Sequence, residues 1–165
     1  MDNLSEAVVG FWNDQLQPWP KETVEKLGLS PRDATYLQTI GLPVGVDWSL
    51  EIPAFAFERP PSIATGLIPL ARDAGVVPIC LVIETGEVVA IEESRTRAVN
   101  STLHNFGAFL MFFQDYRRRV RDVGEAESQA LIEEVEAKME HLDPSSMQKE
   151  AYWPVVVEQM RDGLL

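Results

Sequence analysis

The stretch RAVNSTLHNFGAFLMFF, residues 97–113, contains side chains that could carry out chemistry. His104, one of two histidines in the chain, follows three residues after Ser101. Residues three apart share one face of a helix, and a serine beside a histidine can act as a nucleophile beside its base. The sequence marks no acidic third member and no G-x-S-x-G turn. We therefore predict no catalytic residue here and expect that the protein is not an enzyme.

The same stretch supports neither a metal site nor a sugar acceptor. His104 and His141 belong to no H-E-x-x-H motif and have no pair of cysteines beside them. The triplet NST at residues 100–102 fits the N-glycosylation pattern. That pattern requires secretion, and the opening residues MDNLSEAVVGFW lack the basic start and cleavage site of a signal peptide. We expect a cytoplasmic protein with no metal and no cofactor.

Helical spacing explains the stretch better than catalysis does. Asn100 or Ser101 is predicted to be the N-cap, whose side-chain oxygen accepts a backbone N–H of the first turn. Apolar residues follow at the helical positions Leu103, Phe106, Leu110 and Phe113. Two further helices are predicted, one at about residues 125–141 and a short one that starts near Pro154.

Two helices are predicted nearer the N-terminus. NLSEAVVGFWNDQL, residues 3–16, has helical spacing, with Asn3 or Ser5 as its N-cap. LSPRDATYLQTIGLP, residues 29–43, has Ser30 as N-cap, a proline in the first turn, and Gly41 as its stop signal.

The middle of the chain has the pattern of strands. WSLEIPAFAF, residues 48–57, is predicted to be an edge strand or to carry a bulge, because Pro53 cannot donate to a sheet ladder. VVPICLVIETGEVVAI, residues 76–91, is predicted to be a hairpin. Its first strand is apolar on both faces, which predicts a central strand with Cys80 buried in it. Helices, then strands, then helices indicate an α+β fold, and we predict one domain over residues 1–165, with a mostly antiparallel sheet flanked by helices.

The net charge of -12 restricts the class of partner. Nucleic-acid binding needs clustered lysine and arginine, so the charge argues against it. No apolar run approaches the roughly 18 residues that span a bilayer, so we expect no membrane insertion. An acidic chain favours a basic partner, although solubility alone also explains such a charge.

Several segments, taken in order, resemble a known family. They are LQTIGLP at residues 37–43, the run from LIPLARDAG to the aromatic helix at residues 67–113, and YWPVVVEQMRDGLL at residues 152–165. Together they resemble the SUKH superfamily of Smi1/Knr4-like proteins, and most of all its SUKH-4 branch of bacterial immunity proteins. The resemblance implies a non-enzymatic domain that neutralises a toxin of a polymorphic toxin system. A Smi1/Knr4-type interaction scaffold and a small enzyme with an unrecognised site stay open as alternatives.

The cognate toxin is expected to present a basic surface to this acidic chain. Acidic residues on strands and loops are the predicted contacts, because those on helices are explained by solvation alone. The predicted partner-binding residues are Asp47, Glu51, Glu58, Asp73, Glu84, Glu87, Glu92 and Glu93.

Overall fold

The computed structural model describes residues 2–43, 55–57, 66–73, 77–93 and 95–165. The helices are α1 (Asn3–Trp12), α2 (Lys21–Glu25), α3 (Pro31–Thr39), α4 (Leu103–Arg119), α5 (Glu125–Leu142) and α6 (Trp153–Arg161). The strands are β1 (Leu16–Gln17), β2 (Leu42–Pro43), β3 (Phe55–Phe57), β4 (Leu67–Asp73), β5 (Val77–Val82), β6 (Val88–Ile91) and β7 (Thr96–Asn100).

Five of these strands form one antiparallel sheet in the order β3-β4-β5-β6-β7, and β1 pairs with β2 separately. The predicted α+β fold with a mostly antiparallel sheet is confirmed. β5 is central, as its apolar pattern predicts. Ile79 and Leu81 point to the main core, while Cys80 between them points to the other face and is 4% exposed. The predicted burial of the thiol is therefore confirmed.

The two edges of the sheet differ in how well the sequence predicts them. β3 lies at one edge, which agrees with the edge position considered for the strand that contains Pro53. Residues 48–54 of that predicted strand lie outside the described residues. β7 at the other edge is not predicted, because its short TRAVN sequence has exposed polar residues and reads as a connection. The Tyr152 amide donates to the Ala98 carbonyl at 2.9 Å, so the segment before α6 covers part of this edge.

Local signals set α3 as expected. The Ser30 hydroxyl oxygen accepts the Asp33 amide, and Pro31 occupies the first helical position. Gly41 follows the helix with a φ of +78°, and a Cβ there would lie 1.9 Å from the Gln17 carbonyl oxygen. Glycine is therefore required at this position by both backbone conformation and space.

The helices cover one face of the sheet around α4. Phe106, Phe109 and Phe113 of α4 are buried, and Trp153 at the start of α6 packs edge-on against Phe109 at 5.4 Å between ring centroids. α5 packs along α4 through buried Leu131, Ile132, Val135 and Met139. None of the described helices is long and apolar enough to cross a membrane.

Candidate functional site

Asn100 lies at the centre of a buried polar network. Its Nδ2 donates to Asp143 Oδ2 at 3.3 Å and to Ser146 Oγ at 3.4 Å. Its Oδ1 accepts the indole N–H of Trp153 at 3.0 Å. Asn100 thus joins the end of β7 to the segment after α5 and to the start of α6. We call these four residues the Asn100 network.

The predicted N-cap of α4 at Asn100 or Ser101 is wrong, because Thr102 is the cap. The Thr102 Oγ1 accepts the Asn105 amide at 3.1 Å. β7 continues to Asn100, whose side chain is already bound to Trp153 and Asp143. The Ser101 amide donates to Asp143 Oδ2 at 2.9 Å, so the helix begins only after this anchor.

The Asn100 network holds a charge inside the fold. Burial alone raises the pKa of Asp143, but hydrogen bonds from Ser146, the Ser101 amide, Ser145 and Asn100 outweigh it and lower the pKa to about 2. Asp143 is 3% exposed. A buried carboxylate with this many donors is a structural anchor, since removing a donor leaves the charge incompletely satisfied.

His104 pairs with a serine, but with Ser5 rather than Ser101. The Ser5 Oγ lies 2.6 Å from His104 Nε2, although the two residues are 99 positions apart. Ser5 was expected as a possible cap of α1. Asp2 is the cap instead, because its Oδ1 accepts the Ser5 amide at 2.8 Å. The Ser5 hydroxyl is therefore free to contact His104 of α4. Tyr36 of α3 packs edge-on against the imidazole, with 4.6 Å between the ring centroids.

The geometry around His104 differs from that of a catalytic triad. In a triad the serine contacts one ring nitrogen and the acid orients the other. Here the Asp2 carboxylate lies 3.6 Å from His104 Nε2, the same nitrogen that Ser5 contacts. Ser5 is 3% exposed, which leaves little room for a substrate. Burial lowers the pKa of His104, so the neutral ring joins α1 to α4.

The predicted partner-binding acids that the structure describes lie at two ends of the sheet. Glu84 and Glu87 belong to the β5–β6 turn. Asp73 ends β4, and Glu92 and Glu93 follow β6, at the opposite end. The six residues of β5 separate the two groups by about 20 Å, at roughly 3.3 Å per residue. Asp47, Glu51 and Glu58 lie outside the described residues.

The acids also differ in how far they are already neutralised. Glu92 Oε2 accepts Arg95 Nε at 2.6 Å, and Arg97 forms an ion pair with Glu92, with 3.0 Å between Nη2 and Oε1. The hydrogen bond from Arg95 lowers the pKa of Glu92. Asp73 interacts with the Tyr152 hydroxyl. Glu84, Glu87 and Glu93 are exposed and form no ion pair with the described residues. No cation of the described residues neutralises these three carboxylates.

A small cleft opens beside Glu84. Three segments that are distant in sequence line it: the start of α3, the β5–β6 turn and the start of α4. Its volume is about 140 Å³. The lining residues are Ser30, Arg32, Asp33, Ile83, Glu84, Thr85, Gly86, Ser101 and Thr102. We call it the α3–α4 cleft; no sequence motif marks it, because its walls meet only in the folded chain.

No group of three or more histidine, cysteine, aspartate or glutamate side chains within the described parts of the chain is arranged to hold a metal ion. The polar residues instead serve two purposes. The Asn100 network and the His104–Ser5 contact join elements to one another, and the α3–α4 cleft presents polar groups to solvent.

This fold and this distribution of polar groups define an α+β domain with an open polar cleft at one end of its sheet. The family model of the SUKH-4 immunity proteins matches residues 10–159. The chain belongs to this family, so the SUKH-4 resemblance of its sequence segments is confirmed. No curated protein and no solved structure matches the chain.

Proposed function

We propose that this protein is a non-enzymatic immunity protein that binds and neutralises a toxin of a bacterial polymorphic toxin system. Membership of the SUKH-4 immunity protein family carries the proposal, since the match extends over residues 10–159. The proposal places the protein in the cytoplasm of the cell that makes the toxin. Its partner is a protein rather than a nucleic acid or a membrane, and binding needs no cofactor.

The charge of the chain supports a basic toxin surface as the target. A toxin that acts on nucleic acid needs positive charge to hold phosphate. An inhibitor with a net charge of -12 can cover such a surface and exclude the substrate. Charge complementarity mainly raises the association rate, and salt weakens it as the Debye length falls from about 30 Å at 0.01 M to about 10 Å at 0.1 M.

Among the predicted contacts, we propose that Glu84 and Glu87 dominate the attraction. Both are exposed in the β5–β6 turn, and neither has a cationic partner among the described residues. Glu92, by contrast, already binds two arginines, so its charge is largely cancelled at a distance. Glu93 is exposed at the far end of the sheet and belongs to the interface only if the toxin extends across about 20 Å.

The immunity role is tested by finding the partner and its toxicity. The tagged protein is used to capture its partner from the source bacterium, and the partner is identified by mass spectrometry. Expressed alone in a test strain, the partner should stop growth, and co-expression with this protein should restore it. A partner that is harmless alone, or that kills equally in both strains, would refute the immunity role.

The electrostatic part is tested on the purified pair. The association rate should fall between 0.01 M and 0.1 M salt, and Glu84→Lys with Glu87→Lys should lower it by on the order of 10-fold at low salt. Glu133→Lys with Glu140→Lys makes the same charge change at two exposed positions of α5 and should have a smaller effect. An association rate that changes neither with salt nor with the paired reversal would show that charge does not guide binding.

A further inference from the structure

The α3–α4 cleft has walls that are fixed before any partner arrives. The Ser30 hydroxyl donates to Asp33 Oδ2 at 2.7 Å, which holds the Asp33 side chain at the start of α3. Gly86 has a φ of +76°, and a Cβ there would lie 3.1 Å from the same oxygen, so the turn packs directly on this carboxylate. Thr102 is held as the cap of α4. A preorganised cleft loses little conformational freedom on binding.

Asp33 is the unusual group in this cleft. It is 6% exposed, and within the described residues only its Oδ2 accepts a side-chain hydrogen bond, from Ser30. Its Oδ1 accepts no hydrogen bond from that part of the chain. The described residues do not enclose this oxygen, so it stays open to solvent. Asp33 also lines the cleft, so a donor that enters the cleft can replace the water at this oxygen.

The charges around the cleft favour a cationic donor. Glu84 lines the wall formed by the β5–β6 turn and is exposed, and Glu87 lies three residues further on. Arg32 is the cation among the lining residues, and its side chain is exposed at the rim. The lining of the cleft therefore carries two carboxylates, Asp33 and Glu84, and one guanidinium, Arg32. The positive end of α3 is already matched by Asp33 in its first turn.

The size of the cleft limits what can enter it. About 140 Å³ is far more than the roughly 15 Å³ that one water needs. It is too small for a helix, whose diameter with side chains is about 10 Å. One long side chain from a partner surface fits these limits.

We propose that the α3–α4 cleft is a recognition pocket for a lysine or arginine side chain of the partner protein. Asp33 Oδ1 and the Glu84 carboxylate accept its N–H groups, and Thr85 and Thr102 contribute polar walls. The identity of the partner rests on the proposed immunity function. The preference of the pocket for a cationic side chain rests on the cleft alone and is measured without the toxin.

The test uses the isotopically labelled full chain, titrated with arginine amide and followed by amide chemical shifts in NMR spectra. Citrulline amide is the matched probe, because it has nearly the same shape and the same α-amino group but an uncharged urea in place of the guanidinium. Arginine amide should move the amides of Asp33, Gly86 and Thr102 in a saturable way, and citrulline amide should not. Equal shifts with citrulline amide or with sodium chloride of the same ionic strength would overturn the proposal, as would no shift at all.

Variants assign the binding to the two carboxylates. Glu84→Gln should weaken arginine amide binding several-fold, whereas Glu140→Gln on α5 should leave it unchanged. Asp33→Asn should weaken it too, but this change also affects the start of α3, so the exposed Glu84 decides the outcome. If inorganic phosphate moves the same amides and competes with arginine amide, the cleft is an anion site and the proposal is wrong.

The purified toxin adds a second measurement. A side chain that fills a pocket mainly sets the dissociation rate. Glu84→Gln should therefore raise the dissociation rate of the complex several-fold, and an unchanged rate would exclude the cleft from the interface. If no toxin is found, the arginine amide titration still tests the cleft. If that titration fails, the immunity role is still tested by the capture and growth experiments.

Discussion

Replacing Asp143 with asparagine should lower the free energy of unfolding at pH 7 by roughly 2–3 kcal/mol. The folded protein lowers the pKa of this carboxyl from 3.8 to about 2, and one pKa unit corresponds to about 1.4 kcal/mol. Because Asp143 is 3% exposed, solvent screens its hydrogen bonds little. Asparagine removes the charge that these donors stabilise and so removes that contribution.

The loss should stop near this value, because an amide can keep most of the hydrogen bonds. Its oxygen can accept the Ser101 amide and Asn100 Nδ2 in place of Oδ2. Its Nδ2 can donate to the Ser145 hydroxyl, which in the native protein donates to Oδ1 at 2.7 Å. Asp143→Ala leaves these donors without an acceptor, so it should lose a further 1–3 kcal/mol, roughly.

Urea unfolding followed by tryptophan fluorescence measures the change, and Trp153 reports from within the Asn100 network. With an m-value of about 2 kcal/mol per M, the midpoint should fall by about 1 M at pH 7. The folded pKa is below the unfolded one, so the contribution is complete above pH 4 and is lost as the pH falls toward 2. At pH 3 about half of the difference between the two proteins should remain.

Two results would refute this reasoning. One is an Asp143→Asn variant that unfolds at the wild-type midpoint at pH 7. The other is a difference of the same size at pH 7 and at pH 3, which would mean that the charge is not what stabilises the fold. Glu140→Gln removes a charge from an exposed site and should shift the free energy of unfolding by no more than about 0.5 kcal/mol.

Two further predictions concern α4. Thr102→Ala should lower the free energy of unfolding by about 1 kcal/mol, because it removes the cap. Ser101→Ala should lower it less, since the amide of Ser101 and not its hydroxyl binds Asp143. Equal losses in urea unfolding would contradict the assignment of the cap. His104 has a folded pKa below its ordinary value of 6.5, so the unfolded chain binds more protons and stability should fall as the pH drops from about 7.5 to 5.5. The groups facing His104 are Asp2, Ser5, Arg32, Asp33 and Tyr36. His104→Gln should show a flatter profile in that range, and an equally steep one would exclude His104 as the cause.

Elements with strong local signals could be predicted from the sequence. α3 has a cap, a proline in its first turn and a stop glycine within twelve residues, and each acts on its own neighbours. β5 is apolar on both faces, which only a covered central strand explains. β7 has no such signal, because its pairing with β6 and the cover from Tyr152 come from other parts of the chain.

The cap of α4 could not be chosen from the sequence for a related reason. Asn100, Ser101 and Thr102 are all good N-caps, so capping preference does not separate them. The choice depends on Trp153 and Asp143, which lie 53 and 43 residues from Asn100 and bind its side chain. The Ser5–His104 contact has the same origin, since 99 residues separate its members. Long-range partners decided these positions.

The polar triplet at residues 100–102 has a consequence for the α3–α4 cleft. Asp143 holds the Ser101 amide, and Thr102 then caps α4, so the Asn100 network determines where that helix starts. Ser101 and Thr102 also line the α3–α4 cleft. The network therefore supports one wall of the cleft from behind, while Ser30 and Asp33 hold the opposite wall. Under the proposed recognition by this cleft, the Asn100 network affects binding because it keeps the cleft rigid, without contacting the bound molecule.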